Sequence, residues 1–307
     1  MFETVSKSVL ELFVCMAVGF VCQKKGLLGR DAVKGLSALL VNVTMCATII
    51  VALQRPFDPA EFRTGVEFLP VDCAIFGVGA LAAYIACKAL KVEKKQRGLY
   101  MFGLTFPNTA YMGIPVISSA FGPGGMLYTA LIILLFNLFA FSFGIKMVTA
   151  GYDRDVPVNF LTIIKTPIII AVFIALALFC FSITIPDPIE KPLELLGGMT
   201  TPLSMIILGA IMAGIKNIKS LLTNAKMYIM IVVKLLVIPL IFLAALKPFV
   251  HDGVLLGVTV LLSAMPAATL LPILANTYDL DEETASLFVF STTMLSLLTI
   301  PAVSLLL

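Results

Sequence analysis

Apolar residues run almost unbroken for about twenty positions at a time along this chain, and the polar residues gather at the joints. Reading runs bounded by charge, Gly and Pro divides the 307 residues into ten segments, at about 4–23, 32–53, 67–90, 98–121, 125–149, 166–186, 198–215, 226–247, 253–277 and 283–306. A helix crosses a hydrocarbon layer of roughly 30 Å with about 20 residues. The joints are short, and the longest, near 151–165, leaves no room for a soluble domain. The pattern predicts an all-α integral membrane protein of ten transmembrane helices, with residues 1–307 as one membrane domain.

Two runs are interrupted in corresponding places. The fourth contains Thr105-Phe106-Pro107-Asn108-Thr109-Ala110-Tyr111-Met112-Gly113-Ile114-Pro115, and the ninth Ser263-Ala264-Met265-Pro266-Ala267-Ala268-Thr269-Leu270-Leu271-Pro272. An interior proline removes a backbone donor and crowds the preceding turn, so both helices are expected to break. Aligning Pro115 with Pro272 sets Phe121 against Tyr278 and keeps the following runs in register. Asn42–Cys46 in the second run and Gly198–Pro202 in the seventh stand in a similar relation. Five runs per half give the halves opposite orientation. The expected plan is a 5+5 inverted repeat, 1–150 and 151–307, with binding where helices 4 and 9 are broken.

Composition narrows the class further. Hydrophobic residues make up 60% and charged ones 13%, against roughly 45–50% and about 25% in soluble domains. That excludes both an ordinary soluble globule and a disordered chain. Lys and Arg in alternate joints count fifteen on the side of the 24–34 and 88–97 joints and five on the side of the termini, with Lys234 inside a run. The bias places both termini on the outer face. The charges Lys24 and Lys25 follow the first apolar run, so a membrane helix is expected there rather than a cleaved signal. A net charge of +3 with no basic, aromatic-interleaved stretch offers nothing to nucleic acid. Six scattered cysteines and one histidine, His251, give no metal-ligand spacing, and the cysteines read as packing residues.

The candidate chemistry is at the breaks. Asn108 and Thr109 can serve either the broken backbone or a ligand, and Gly113 permits either close helix approach or ligand contact. Pro115, Pro266, Thr269 and Pro272 complete the expected substrate site. Asn42 is expected either to line it or to bond a neighbouring helix. Asn137, Asn276, Thr200, Thr201 and Ser204 are weaker candidates with structural alternatives. Two charges lie inside runs: Asp72 is a candidate proton carrier, and Lys234 either snorkels or balances charge. The acidic run Asp279–Glu283 reads as the cap of the tenth helix. Second half-helices starting near Pro115 and Pro272 would point their positive ends at one central region, and neither break contains an acidic residue. That favours an anion.

The string Pro107–Pro115 resembles the signature of the auxin efflux carrier family, which includes plant auxin exporters and bacterial malate and malonate permeases. Asn42, Pro202, the prolines of the ninth run and Tyr278–Ser286 extend the resemblance along essentially the whole chain. Cys46 stands where family members usually carry a proline, which leaves the break of the second helix in question. The short joint between runs 5 and 6 is similar to the bacterial branch. The resemblance implies helices 1, 2, 6 and 7 as a scaffold, 3–5 and 8–10 as a mobile part moving as an elevator, and crossing of helices 4 and 9 at the substrate. It also implies a homodimer through the scaffold helices and a place in a bacterial inner membrane. The expected function is secondary active transport of a small organic anion, a carboxylate, without cofactor and with coupling to protons or sodium left open. The alternatives are an intramembrane enzyme, for which no catalytic dyad is visible, and a substrate sensor without flux.

Overall fold

The computed structural model describes residues 2–152, 164–214 and 224–307. They form helices α1 (Phe2–Lys24), α2 (Asp31–Ala52), α3 (Pro59–Ala89), α4 (Lys94–Thr105), α5 (Thr109–Phe121), α6 (Pro123–Tyr152), α7 (Pro167–Cys180), α8 (Asp187–Ala213), α9 (Ala225–Leu246), α10 (Gly253–Ser263), α11 (Leu270–Thr277) and α12 (Glu282–Ser304). No strand occurs among the described residues, apart from a single two-residue bridge. All ten apolar runs are occupied by helix. Among the described residues seven helices are long and apolar enough to cross a membrane: α1, α2, α3, α6, α8, α9 and α12. The remaining runs hold α7 and the two interrupted pairs, α4–α5 and α10–α11. Parts of the joints before α7 and before α9 lie outside the described residues.

Helix ends follow local chemistry. Asp58, Asp252 and Asp281 cap α3, α10 and α12 by accepting from N–H groups of the first turn, each removing an orphan donor. Asp281 caps α12 as expected for the acidic run. It also accepts from Gln96 of α4 at 3.2 Å and from the Thr284 hydroxyl at 2.6 Å. Burial pushes its carboxyl up, but these hydrogen bonds outweigh burial and hold it below the ordinary carboxylate value. Among the described residues four single π-turns widen the helices, at Leu40–Thr44, Thr109–Gly113, Ala140–Gly144 and Val233–Val237. Two of them precede a proline by two residues, Pro115 and Pro239, where the ordinary i→i−4 bond has no donor.

Close backbone contact joins certain helices. A Cβ at Gly19 of α1 would collide with the Ile206 carbonyl of α8, and one at Gly209 of α8 with the Met16 carbonyl of α1. Gly98 of α4 meets the Met147 carbonyl of α6 in the same way. Between α3, α4 and α6 lies a cluster of rings in which Phe106 is central. Its centroid is 4.5 Å from Phe102, 5.5 Å from Phe143, 5.6 Å from Phe136 and 5.7 Å from Phe76. Such packing fixes the chain where the fourth run breaks.

Candidate functional site

The first break starts at Phe106. A residue before proline is driven out of the helical region, and Phe106 has φ −105° and ψ 104°. Pro107 follows, and Asn108 turns the chain into α5, its Oδ1 accepting from the Tyr111 N–H at 3.2 Å. The second break runs from Ala264 to Thr269 between α10 and α11. The two breaks pair with each other. Asn108 N–H donates to the Pro266 carbonyl at 2.8 Å, and Ala268 N–H donates to the Phe106 carbonyl at 3.0 Å. Between them Pro107 faces Ala267. Exchange of the two segments maps each bond onto the other, so Phe106, Pro107, Asn108 and Thr109 correspond to Pro266, Ala267, Ala268 and Thr269.

The start of α5 differs from expectation: it begins at Thr109, six residues before Pro115, whereas α11 begins at Leu270, near Pro272 as expected. Locally the bridge pairs Pro107 with Ala267. The physical reason is positional. Pro272 falls in the opening turn of α11, where the lost donor has no helical partner, whereas Pro115 follows the π-turn Thr109–Gly113 inside α5 and deprives a carbonyl of that turn. The carbonyl that Pro115 deprives, Tyr111 O, lies 3.2 Å from the Ser204 hydroxyl of α8, which also reaches Thr201 O at 2.9 Å.

Breaking a helix frees carbonyls as well. Leu104 O would normally accept from Asn108 N–H, which the bridge has taken. Instead Lys234 of α9, 1% exposed, donates from Nζ to Leu104 O at 3.3 Å. Its ammonium does not snorkel; it sits on the negative end of α4. In α10 the corresponding donors are diverted too, Ala267 N–H to the Thr292 hydroxyl at 3.2 Å and Ala268 N–H to Phe106. Ser263 O and Ala264 O are left without their helical donors.

Several buried polar atoms here have no protein partner: Asn108 Nδ2, Thr109 Oγ1 and Thr105 Oγ1 at the first break, and Thr259 Oγ1 on α10. Asp72 of α3 is 2% exposed, and its Oδ1 is likewise unpartnered. Asp72 and Lys234 form no ion pair with each other. Thr105 and Thr259 carry no mark in the sequence that separates them from hydroxyls bonded to their own helix.

The bridge brings Asn108, Thr109, Pro266 and Thr269 together, all buried, with Pro115 buried and Pro272 half-buried just beyond. Gly113 is also buried, but a Cβ there would lie 2.6 Å from Leu262 Cδ2, so α10 packs directly over it. Asn42 is exposed on α2, apart from the buried bridge. Asn137 donates to its own helix at Ile133 O, Asn276 to Glu282, and the Thr200 hydroxyl meets that of Thr48 at 2.7 Å. Among the described residues no cluster of His, Cys, Asp and Glu could hold a metal ion.

Apolar helices of spanning length around two mutually bridged helix breaks define a multi-pass membrane protein built around interrupted helices. The chain belongs to the membrane transport protein family, which matches residues 4–304 and is the auxin efflux carrier family of the resemblance above. It is 24% identical to an uncharacterized transporter of Methanothermobacter thermautotrophicus over 96% of both chains. It is 26% identical to one of Methanocaldococcus jannaschii over 95% of both. A protein of Rhizobium meliloti named "Putative malonate transporter" is 24% identical, over 95% of this chain and 92% of that one. By family, then, this is a membrane transporter and not an enzyme.

Proposed function

We propose that the protein carries a small organic anion, a carboxylate such as malonate, malate or an auxin-like acid, through a site at the bridged breaks. The observation that carries this reading is the set of unsatisfied donors at the bridge. Asn108 Nδ2 and Thr109 Oγ1 are buried without partners beside the start of α5, and α11 starts from the other side of the same bridge. A buried donor without an acceptor costs about 1–3 kcal/mol, so an acceptor-rich ligand is favoured there. Helix starts add partial positive charge, and Lys234 adds a further N–H donor beyond them at Leu104 O. Pro266 and Thr269 form the opposite wall, with Gly113, Pro115 and Pro272 shaping the approach. The name of the Rhizobium relative supports a dicarboxylate.

The finer reading is ten crossings in a 5+5 inverted repeat, 1–150 and 151–307, with both termini outside a bacterial inner membrane. Backbone contact of α1 with α8, and of α4 with α6, supports two rigid groups moving as an elevator, with Asn42 on the scaffold side. A homodimer would form through that scaffold. The test is uptake of labelled malonate and malate into proteoliposomes, with the corresponding amides as competitors. Carboxylates are expected to compete at least tenfold better than amides. Equal competition overturns the anion site, and binding without uptake returns the sensor reading.

A further inference from the structure

Different kinds of contact join α8 to its neighbours. Against α1 the backbones interlock, since a Cβ at Gly19 or Gly209 would collide with a carbonyl of the other helix. Against α5 the packing is by side chains: Leu203, Ile207 and Ile211 of α8 share one apolar cluster with Ala110, Tyr111 and Ile114. Apolar contact has no preferred direction. A directional bond is added to it, because the fully buried Ser204 hydroxyl lies 3.2 Å from Tyr111 O, the carbonyl that Pro115 deprives of its helical donor. Tyr111 N–H in turn donates to Asn108 Oδ1 at 3.2 Å. Ser204 is thereby joined to the break through a single residue, without bonding the unpartnered Asn108 Nδ2 or Thr109 Oγ1. A serine hydroxyl has one hydrogen, and Ser204 has two carbonyls in reach, Tyr111 O at 3.2 Å and Thr201 O of its own helix at 2.9 Å. Whichever it chooses, no buried donor is stranded.

We propose that Ser204 is a positioning residue that holds the first break on α8, and that its fallback to Thr201 O releases the break when the loaded site moves. The inference rests on the transport reading, in which α5 travels and α8 stays with α1. In the held position Ser204 supplies the donor that Pro115 lacks. In the released position Tyr111 O passes to water as the contact between α5 and α8 opens, and the Ser204 hydroxyl stays satisfied within its own helix. Release therefore costs the difference between two hydrogen bonds, small enough for repeated turnover and large enough to set its rate. An alanine at 204 removes the hold without removing any group from the substrate site. The moving step is accelerated, and substrate affinity stays.

The test is initial-rate uptake of labelled malonate and malate by the purified full chain in proteoliposomes. Ser204→Ala is expected to raise Vmax by about three- to tenfold, the weight of one hydrogen bond, with KM unchanged within about twofold. Ser204→Thr, which keeps the hydroxyl, is expected to match the parent. Ser291→Ala, which removes a hydroxyl bonded to its own helix at Leu287 O, is expected to change neither quantity. An unchanged or lowered Vmax in Ser204→Ala overturns the proposal even where Tm falls, because a merely structural serine does that. A raised KM at unchanged Vmax also overturns it and puts Ser204 in the binding site. Hydrogen exchange of the 109–113 backbone without substrate separates the two readings. It is expected to quicken in Ser204→Ala and to return to the parent rate in Ser204→Thr. If the parent takes up no carboxylate, the transport reading falls, and exchange decides whether Ser204 holds the break; unchanged exchange overturns that hold. If Ser204→Ala does not fold, Ser204→Cys, a weak donor of similar shape, is expected to give the same changes at smaller size.

Discussion

The two helix breaks share one bridge and solve the same problem in different ways. The first is closed from within. Asn108 caps the outgoing helix, Lys234 covers the carbonyl end of the incoming one, and Phe106 is held by a cluster of rings. The second has no capping side chain, since Thr269 makes no hydrogen bond to the start of α11. It borrows the Thr292 hydroxyl from α12 to hold Ala267, and it faces a carboxylate rather than an amine. A buried break stays stable when its freed groups are matched, so the backbone of the first break is held more fully from within, while its Asn108 and Thr109 side chains keep unpartnered polar atoms.

That contrast can be broken first at its strongest link. Phe106→Ala empties the ring cluster and is expected to cost about 3–5 kcal/mol of stability, whereas the counterpart Pro266→Ala costs much less. Equal losses in thermal unfolding would erase the difference. Next, Thr292→Val leaves the buried Ala267 N–H without an acceptor, at about 1–3 kcal/mol, and Thr292→Ser restores it. A neutral Thr292→Val would mean that the second break does not depend on α12. Asn108→Ala removes a cap worth about 1 kcal/mol and is expected to weaken carboxylate binding at least tenfold; Thr269→Ala has no cap to lose. Last and smallest is Asp281→Asn, which loosens the tie between α4 and α12. With the folded carboxyl held below its ordinary value, the contribution of Asp281 is present above about pH 4 and fades on acidification below it. The Asn variant should therefore lose stability at neutral pH and converge with the parent in acid.

Much of this arrangement was legible beforehand because proline and charge are conspicuous in an apolar run. The ten apolar runs and the interruptions at Pro107 and Pro266 needed only counting. The start of α5 did not follow, since Pro115 looks as disruptive as Pro107 but sits inside the helix after a π-turn, while Pro272 lies in the opening turn of α11, which tolerates it. Nor could the target of Lys234 be read, because a freed carbonyl leaves no trace in a side-chain sequence. Thr292 and Ser204 bond their own helices as Thr129 and Ser291 do but also reach a break, and the Thr259 hydroxyl bonds nothing, yet nothing local separates them. Asn42, a polar residue in an apolar run, lies exposed on α2.

The bridge also sets an order of events during synthesis. Asn108 N–H waits for Pro266, and the Phe106 carbonyl waits for Ala268. At roughly 5–20 residues per second, the ribosome reaches those partners on the order of 8–32 s later. For that interval the first break holds bare peptide groups that lipid cannot solvate, so the first half is expected to linger in contact with water or the insertion machinery. A chain stopped after Tyr152 is expected to be degraded rapidly in cells, and supplying the second half as a separate polypeptide is expected to rescue it.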